Sequence, residues 1–236
     1  MKKRIWELDA LRGLAIIGMV AVHLIYDLIE LFRVWEPRNP WLFYLAQNWG
    51  GVIFLVLSGI CVTLGSAPVK RGLLVFGCGL LISAVTLGMY LLGFTDRGII
   101  IYFGVLHCLG TCMVLWPAFR KCPHWLLAIL GSLMAAAGLC LINRVRIEDW
   151  WLVPLGIPCY GFSSSDYFPL LPNLGYFLLG AALGRTVYRK KESLLPRVNV
   201  QMPIVRFLCW CGRSSLWIYL LHQPILAGII GLLMIL

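Results

Sequence analysis

The chain has 236 residues, 61% of them apolar and 13% charged, with a net charge of +10, where an ordinary soluble domain carries about 25% charged residues. That shortage of charge excludes a water-soluble globular domain, and the 10 tryptophans, 24 glycines and 12 prolines fit neither a disordered chain, a coiled coil nor a small disulfide scaffold. What is left is an all-α polytopic membrane protein, one domain over residues 1–236, whose basic residues lie between apolar runs and face membrane lipid rather than nucleic acid.

Crossing a bilayer takes about 20 mainly apolar residues. In chain order, seven stretches meet that length: Leu8 to Leu31, Trp41 to Leu64, Gly72 to Leu92, Ile99 to Phe119, Trp125 to Ile142, Leu170 to Tyr188 and Ser214 to Leu236. The opening Met1-Lys2-Lys3-Arg4 imitates a secretory leader, but Asp9 and Arg12 interrupt the apolar region and no small-residue cleavage site follows. It therefore reads as a retained first helix. Trp150 to Tyr160 holds Pro154 and Pro158 and reads as a loop at the interface. Gly180 and Gly184, four apart, suit close helix contact.

Seven helices with the N-terminus inside place Lys2, Lys3, Arg4, Lys70, Arg71, Arg120, Lys121, Arg185, Arg189, Lys190, Lys191, Arg197, Arg206 and Arg213 on the inner side. Only Arg33, Arg38, Arg97, Arg144 and Arg146 fall outside. This asymmetry predicts about seven transmembrane helices, N-terminus in and C-terminus out, in a bacterial inner (cytoplasmic) membrane. The connection from Arg189 to Arg213 is expected to lie along the inner surface.

Ionisable groups inside a span cost roughly 2.5–3.5 kcal/mol each on insertion scales. The first helix carries Asp9, Arg12, His23 and Asp27. At 100° per residue Arg12 and His23 lie only about 20° apart around the axis, and about 16 Å apart along it. Asp27 is one turn beyond His23, within reach of its ring. His107 falls in the fourth stretch and His222 in the last, beside Pro224, which frees a backbone carbonyl one turn back. Three histidines in separate spans predict a polar cavity between helices, although each could equally be a satisfied core residue. The nine cysteines form no CxxC pair and read as buried apolar groups. A metal held by His107, Cys108, Cys112 and His222 lacks any supporting motif, so none is expected. No GxSxG, P-loop or GxGxxG motif occurs.

Glu7-Leu8-Asp9-Ala10-Leu11-Arg12-Gly13-Leu14-Ala15-Ile16, continuing through Met19, Val20, His23, Tyr26 and Asp27, resembles the opening of the DUF1624 membrane proteins. These are relatives of the catalytic domain of heparan-alpha-glucosaminide N-acetyltransferase. Phe54 to Gly59, Phe103 to Gly110 and Asp166 to Pro172 carry the resemblance through most of the chain. Arg12 and His23 are also similar to the arginine and histidine signature of the acyltransferase-3 enzymes, and Tyr219 to Pro224 to their terminal helix.

The resemblance implies an integral membrane acyltransferase using cytoplasmic acetyl-CoA or another acyl-CoA as co-substrate. The acceptor would be a hydroxyl or amine on a sugar or glycan precursor. In the lysosomal branch the catalytic histidine follows the first helix, but Leu31 to Trp41 here contains none, so the role falls to His23. His23 would be general base or nucleophile, oriented by Asp27, with His107 a further catalytic candidate. Arg12, Lys70, Arg71 and Arg213 would hold the CoA phosphates, and Asn48 and His222 would contact the acceptor. Association into a homo-oligomer is left open. The rival class is a small transporter or proton- or ion-coupled channel, in which the same buried groups would line a path.

Overall fold

The computed structural model describes residues 4–32, 34, 41–140 and 144–235. Apart from short 3₁₀ turns, one π turn and two isolated bridge pairs, Phe103 with Tyr167 and Ile147 with Cys159, the regular structure is α-helical. The helices are α1 (Trp6–Tyr26), α2 (Trp41–Leu64), α3 (Pro68–Leu91), α4 (Val105–Phe119), α5 (His124–Cys140), α6 (Leu170–Val187), α7 (Pro203–Arg213) and α8 (Ser215–Ile235). The all-α expectation holds.

The expected number of spans does not. Among the described residues three helices are long and apolar enough to cross a membrane: Trp6–Ile29, Pro68–Leu91 and Ser215–Leu233. The fourth predicted stretch spends its first residues on a 3₁₀ turn, Arg97–Ile99, and an extended link, leaving a 15-residue α4. That helix is about 22 Å long, short of a hydrocarbon core about 30 Å thick. The fifth stretch yields the 17-residue α5. The sixth is interrupted by extended backbone at Leu171 (φ −105°, ψ 127°), and in the second the described apolar run is Trp49–Leu64. The N-in, C-out assignment of every connection was built on seven crossings and does not stand without them.

Two compact units make up the chain: Met1–Phe54 with Lys190–Leu236, and Leu55–Arg189. In the first, α1 packs along α7 and α8. The α1–α7 seam is backbone on backbone. A Cβ added at Gly13 would run into the Leu208 carbonyl, and one at Gly212 into the Asp9 carbonyl, so only glycine permits this approach. The start of α1 is clasped by the 190s segment. The Glu7 carboxylate accepts from the Ser193 hydroxyl (2.8 Å) and the Leu194 N–H (2.7 Å).

In the second unit α3 pairs with α4, α5 with α6, and α4 with α6. Gly72 meets Gly110 and Gly131 meets Gly175 across two of these seams. The core between them is filled by Leu55, Cys108, Cys112, Leu127, Phe177, Leu178 and Ala181, all fully buried. Arg185 of α6 donates to the carbonyls of Arg120 and Cys122 in the α4–α5 turn and lies 5.2 Å from the Trp116 ring. The segment before α6 is fastened by Tyr167, whose hydroxyl donates to the Val153 carbonyl at 2.7 Å. Ser164 likewise donates to Ile100. Residues 150–155 form a 3₁₀ turn containing Pro154, in keeping with a loop there.

Candidate active site

The 3.6-residue period carries His23 of α1 and Asp27, just past its last residue, to the same face, and α8 supplies His222 and Gln223 opposite them. At Asp27 the winding of the helix changes. Residues Asp27–Leu31 form a π turn, with the Phe32 N–H bonded to the Asp27 carbonyl at 2.8 Å. Such single turns recur at functional sites because they turn a side chain off the regular helical register.

The two histidine rings meet edge to face, with centroids 4.8 Å apart and planes at 85°. His23 Nδ1 lies 3.0 Å from the Met19 carbonyl and His222 Nδ1 lies 2.6 Å from that of Tyr219. A carbonyl can only accept, so Nδ1 carries a proton in both rings, which leaves Nε2 as the nitrogen of each ring free to act as a base.

The Gln223 amide Nε2 donates to Asp27 Oδ1 at 2.7 Å. The Asp27 side chain therefore reaches Gln223, while the His23 ring is oriented by its own helix through Met19. Asp27 is 0% exposed and His222 8%. Asp27 Oδ2, His222 Nε2 and Gln223 Oε1 are buried without a hydrogen-bond partner among the described residues. Each of the three is a bare acceptor. Since buried polar groups are satisfied in the great majority of proteins, this group calls for a donor: a proton, or the O–H or N–H of a bound molecule. Gln223 was missed by sequence reasoning; its neighbours His222 and Pro224 were the only signal there.

His107 sits in the second unit and is differently employed. Its Nδ1 accepts the Gly104 N–H at 3.2 Å, closing the first turn of α4 as a cap. That leaves the ring proton on Nε2, which lies 3.4 Å from Ser83 Oγ, itself donating to the Ile101 carbonyl. Gly79 makes room for the ring, which packs edge-on against Phe76. Asp166 completes the helix start by accepting the Val105 N–H at 3.0 Å. Both nitrogens of His107 are thus occupied.

Of the proposed phosphate ligands, Arg12 is partly buried on α1 and makes no hydrogen bond or ion pair with the described residues. Arg213 is exposed at the end of α7. Lys70 and Arg71 are exposed in the first turn of α3, in the second unit, because that helix begins four residues before the predicted stretch, with Pro68 in its first turn. The Asn48 side chain lies outside the described residues. Among the described residues no group of three metal-ligating side chains is found.

The profile of one family, heparan-alpha-glucosaminide N-acetyltransferase, catalytic, matches residues 4–224. The chain belongs to this family. The match takes in α1 with Arg12, His23 and Asp27, and α8 as far as Pro224. No curated protein and no solved structure matches the chain. Membership makes this a catalytic domain of a membrane acyltransferase-like family, and the three long apolar helices found among the described residues suit insertion in a bilayer.

Proposed function

We propose that this family member moves an acetyl or short acyl group from cytoplasmic acyl-CoA to a hydroxyl or amine of a sugar-like acceptor at a bacterial inner membrane. The observation carrying the reading is the group of bare acceptor atoms, Asp27 Oδ2, His222 Nε2 and Gln223 Oε1, beside the edge-to-face imidazoles of His23 and His222. Such a group takes up the proton that an acceptor hydroxyl or amine must lose when its oxygen or nitrogen bonds to the thioester carbon. The C–S bond breaks and the proton passes from imidazole to the departing thiolate, leaving free CoA and the acylated acceptor.

His23 Nε2 serves as base in this scheme, His222 packs across it, and Gln223 fixes the carboxylate of Asp27. The donor is a polyanion at its nucleotide end and needs cations there. Arg12, without a partner among the described residues and roughly 16 Å along α1 from His23, suits that end. The planar guanidinium of Arg12 can bind phosphate through two parallel hydrogen bonds.

Purified protein in lipid nanodiscs, given radiolabelled acetyl-CoA and a panel of amino sugars and polyols, should release free CoA only when an acceptor is present. His23→Ala should lower that release by about 10²-fold or more while CoA binding persists, and Arg12→Ala should weaken CoA binding, raising KM for acetyl-CoA with a much smaller change in kcat. Acceptor-dependent release undiminished in His23→Ala would remove this residue from the chemistry. No release with any acceptor, together with no CoA binding, would overturn the reading altogether.

A further inference from the structure

The short helix α7 has two unlike sides. Cys209, Cys211 and Gly212 are buried; Gly212 lies against α1, and the Cys209 thiol donates to the Trp6 carbonyl at 3.4 Å. The other side exposes Ile204 (59%), Phe207 (51%) and Trp210 (55%), three residues apart along one stripe. Phe207 and Trp210 stack at 6.4 Å. Arg206 and Arg213, both exposed, share a groove with those two rings.

Two anchors within the same unit set the depth of this helix. Its last residue, Arg213, is two positions before Ser215, where one membrane-crossing helix begins, and its buried side packs on the first two turns of another, at Trp6, Asp9 and Gly13. A helix tied to the beginnings of two spans lies where they enter the bilayer. Aromatic side chains flanked by arginine are the chemistry of that layer. The charge is one-sided as well: from Lys190 to Arg213 the chain has Lys190, Lys191, Arg197, Arg206 and Arg213 against the single acid Glu192. We infer that α7 is an interfacial helix whose groove, with Arg206 and Arg213 on either side of Trp210, holds the headgroup phosphate of an anionic phospholipid while Ile204, Phe207 and Trp210 enter the acyl boundary.

The test uses the full chain in phosphatidylcholine nanodiscs containing a minor fraction of dansyl-labelled lipid. Energy transfer from Trp210 is isolated as the difference between wild type and Trp210→Phe. The expected result is greater transfer to dansyl-phosphatidylglycerol than to dansyl-phosphatidylcholine. Arg206→Gln/Arg213→Gln should reduce that preference by about fivefold for each charge removed. Arg206→Lys/Arg213→Lys should keep most of it, since attraction to the leaflet follows charge. Equal transfer to the two lipids in the wild type would overturn the inference without any arginine variant. So would a preference unchanged in the glutamine variant. If soluble CoA abolishes the phosphatidylglycerol signal, the groove belongs to a nucleotide phosphate and not to lipid.

Discussion

Replacing Gln223 by Leu removes the one hydrogen bond that the described residues give to the Asp27 carboxyl group, at 2.7 Å in a site where Asp27 is wholly buried. A hydrogen bond to a charged group contributes about 1.5–3 kcal/mol, and stranding its partner in a buried site puts the loss at the upper end, about 3 kcal/mol. For a chain of this size each kcal/mol moves the midpoint by about 2–4 °C, so Gln223→Leu should melt about 6–12 °C lower. Asp27→Leu strands the glutamine amide and should also destabilise. The double variant strands neither group and should return to within about 1 kcal/mol of wild type, because replacing both polar partners by apolar groups of similar volume is close to neutral. Thermal unfolding in detergent can be followed by a thiol-reactive dye, since Cys108, Cys112, Cys159, Cys209 and Cys211 are buried in the folded protein. A double variant as unstable as the sum of the two single ones would show no coupling and would refute the pairing of α1 with α8 through these residues.

His107→Ala should cost about 2–3 kcal/mol in the same melting assay, because both ring nitrogens are engaged, yet CoA binding measured by calorimetry should persist. Arg185→Lys exchanges a planar fork on two carbonyls for a single ammonium and should lower stability by about 1 kcal/mol, with the loss nearly independent of salt because the partners are uncharged. Tyr167, in the loop before α6, has its phenol pushed up to about 12 from 10 by burial. Its neutral form is the one the fold favours, so its contribution is complete below about pH 10 and fades as pH rises towards 12. Tyr167→Phe should flatten that part of the stability profile, and absorbance titration should show one fewer late-ionising phenol.

Helix periodicity was enough to bring Asp27 and His23 to one face, because α1 winds regularly up to Tyr26 and the π turn starts only at Asp27 itself. Their meeting with His222 came from the expectation that costly groups in separate spans find one another. For His107 the structure shows a local use that this expectation did not include. A histidine at the third position of a helix can close its own cap, and that local use is invisible to any argument from polarity inside an apolar run. Gln223 left no signature, since a glutamine beside a proline reads as ordinary punctuation until its partner is seen. Hydropathy overcounted the spans for a related reason. α4, α5 and α6 are apolar in order to bury Cys108, Leu127 and Phe177 against one another, and a hydropathy sum does not distinguish a protein neighbour from lipid. In the connection from Arg189 to Arg213, the glycine and cysteines gave no sign that eleven of its residues form α7.

The unit bearing the histidine pair is assembled from two separated stretches of sequence, Met1–Phe54 and Lys190–Leu236, whereas the other unit is continuous. During synthesis α1 is complete long before α7 and α8 leave the ribosome. Through that interval Asp27 lacks the amide of Gln223, Glu7 lacks Ser193 and Leu194, and the glycine face at Gly13 has no helix to meet. The continuous unit can fold while the chain is still growing. A chain that stops after Arg189 would thus hold a folded helical body and a first helix whose buried carboxyl group, Asp27, has no amide to meet it. The segment that arrives last therefore completes the histidine pair and satisfies the Asp27 carboxyl group in a single step.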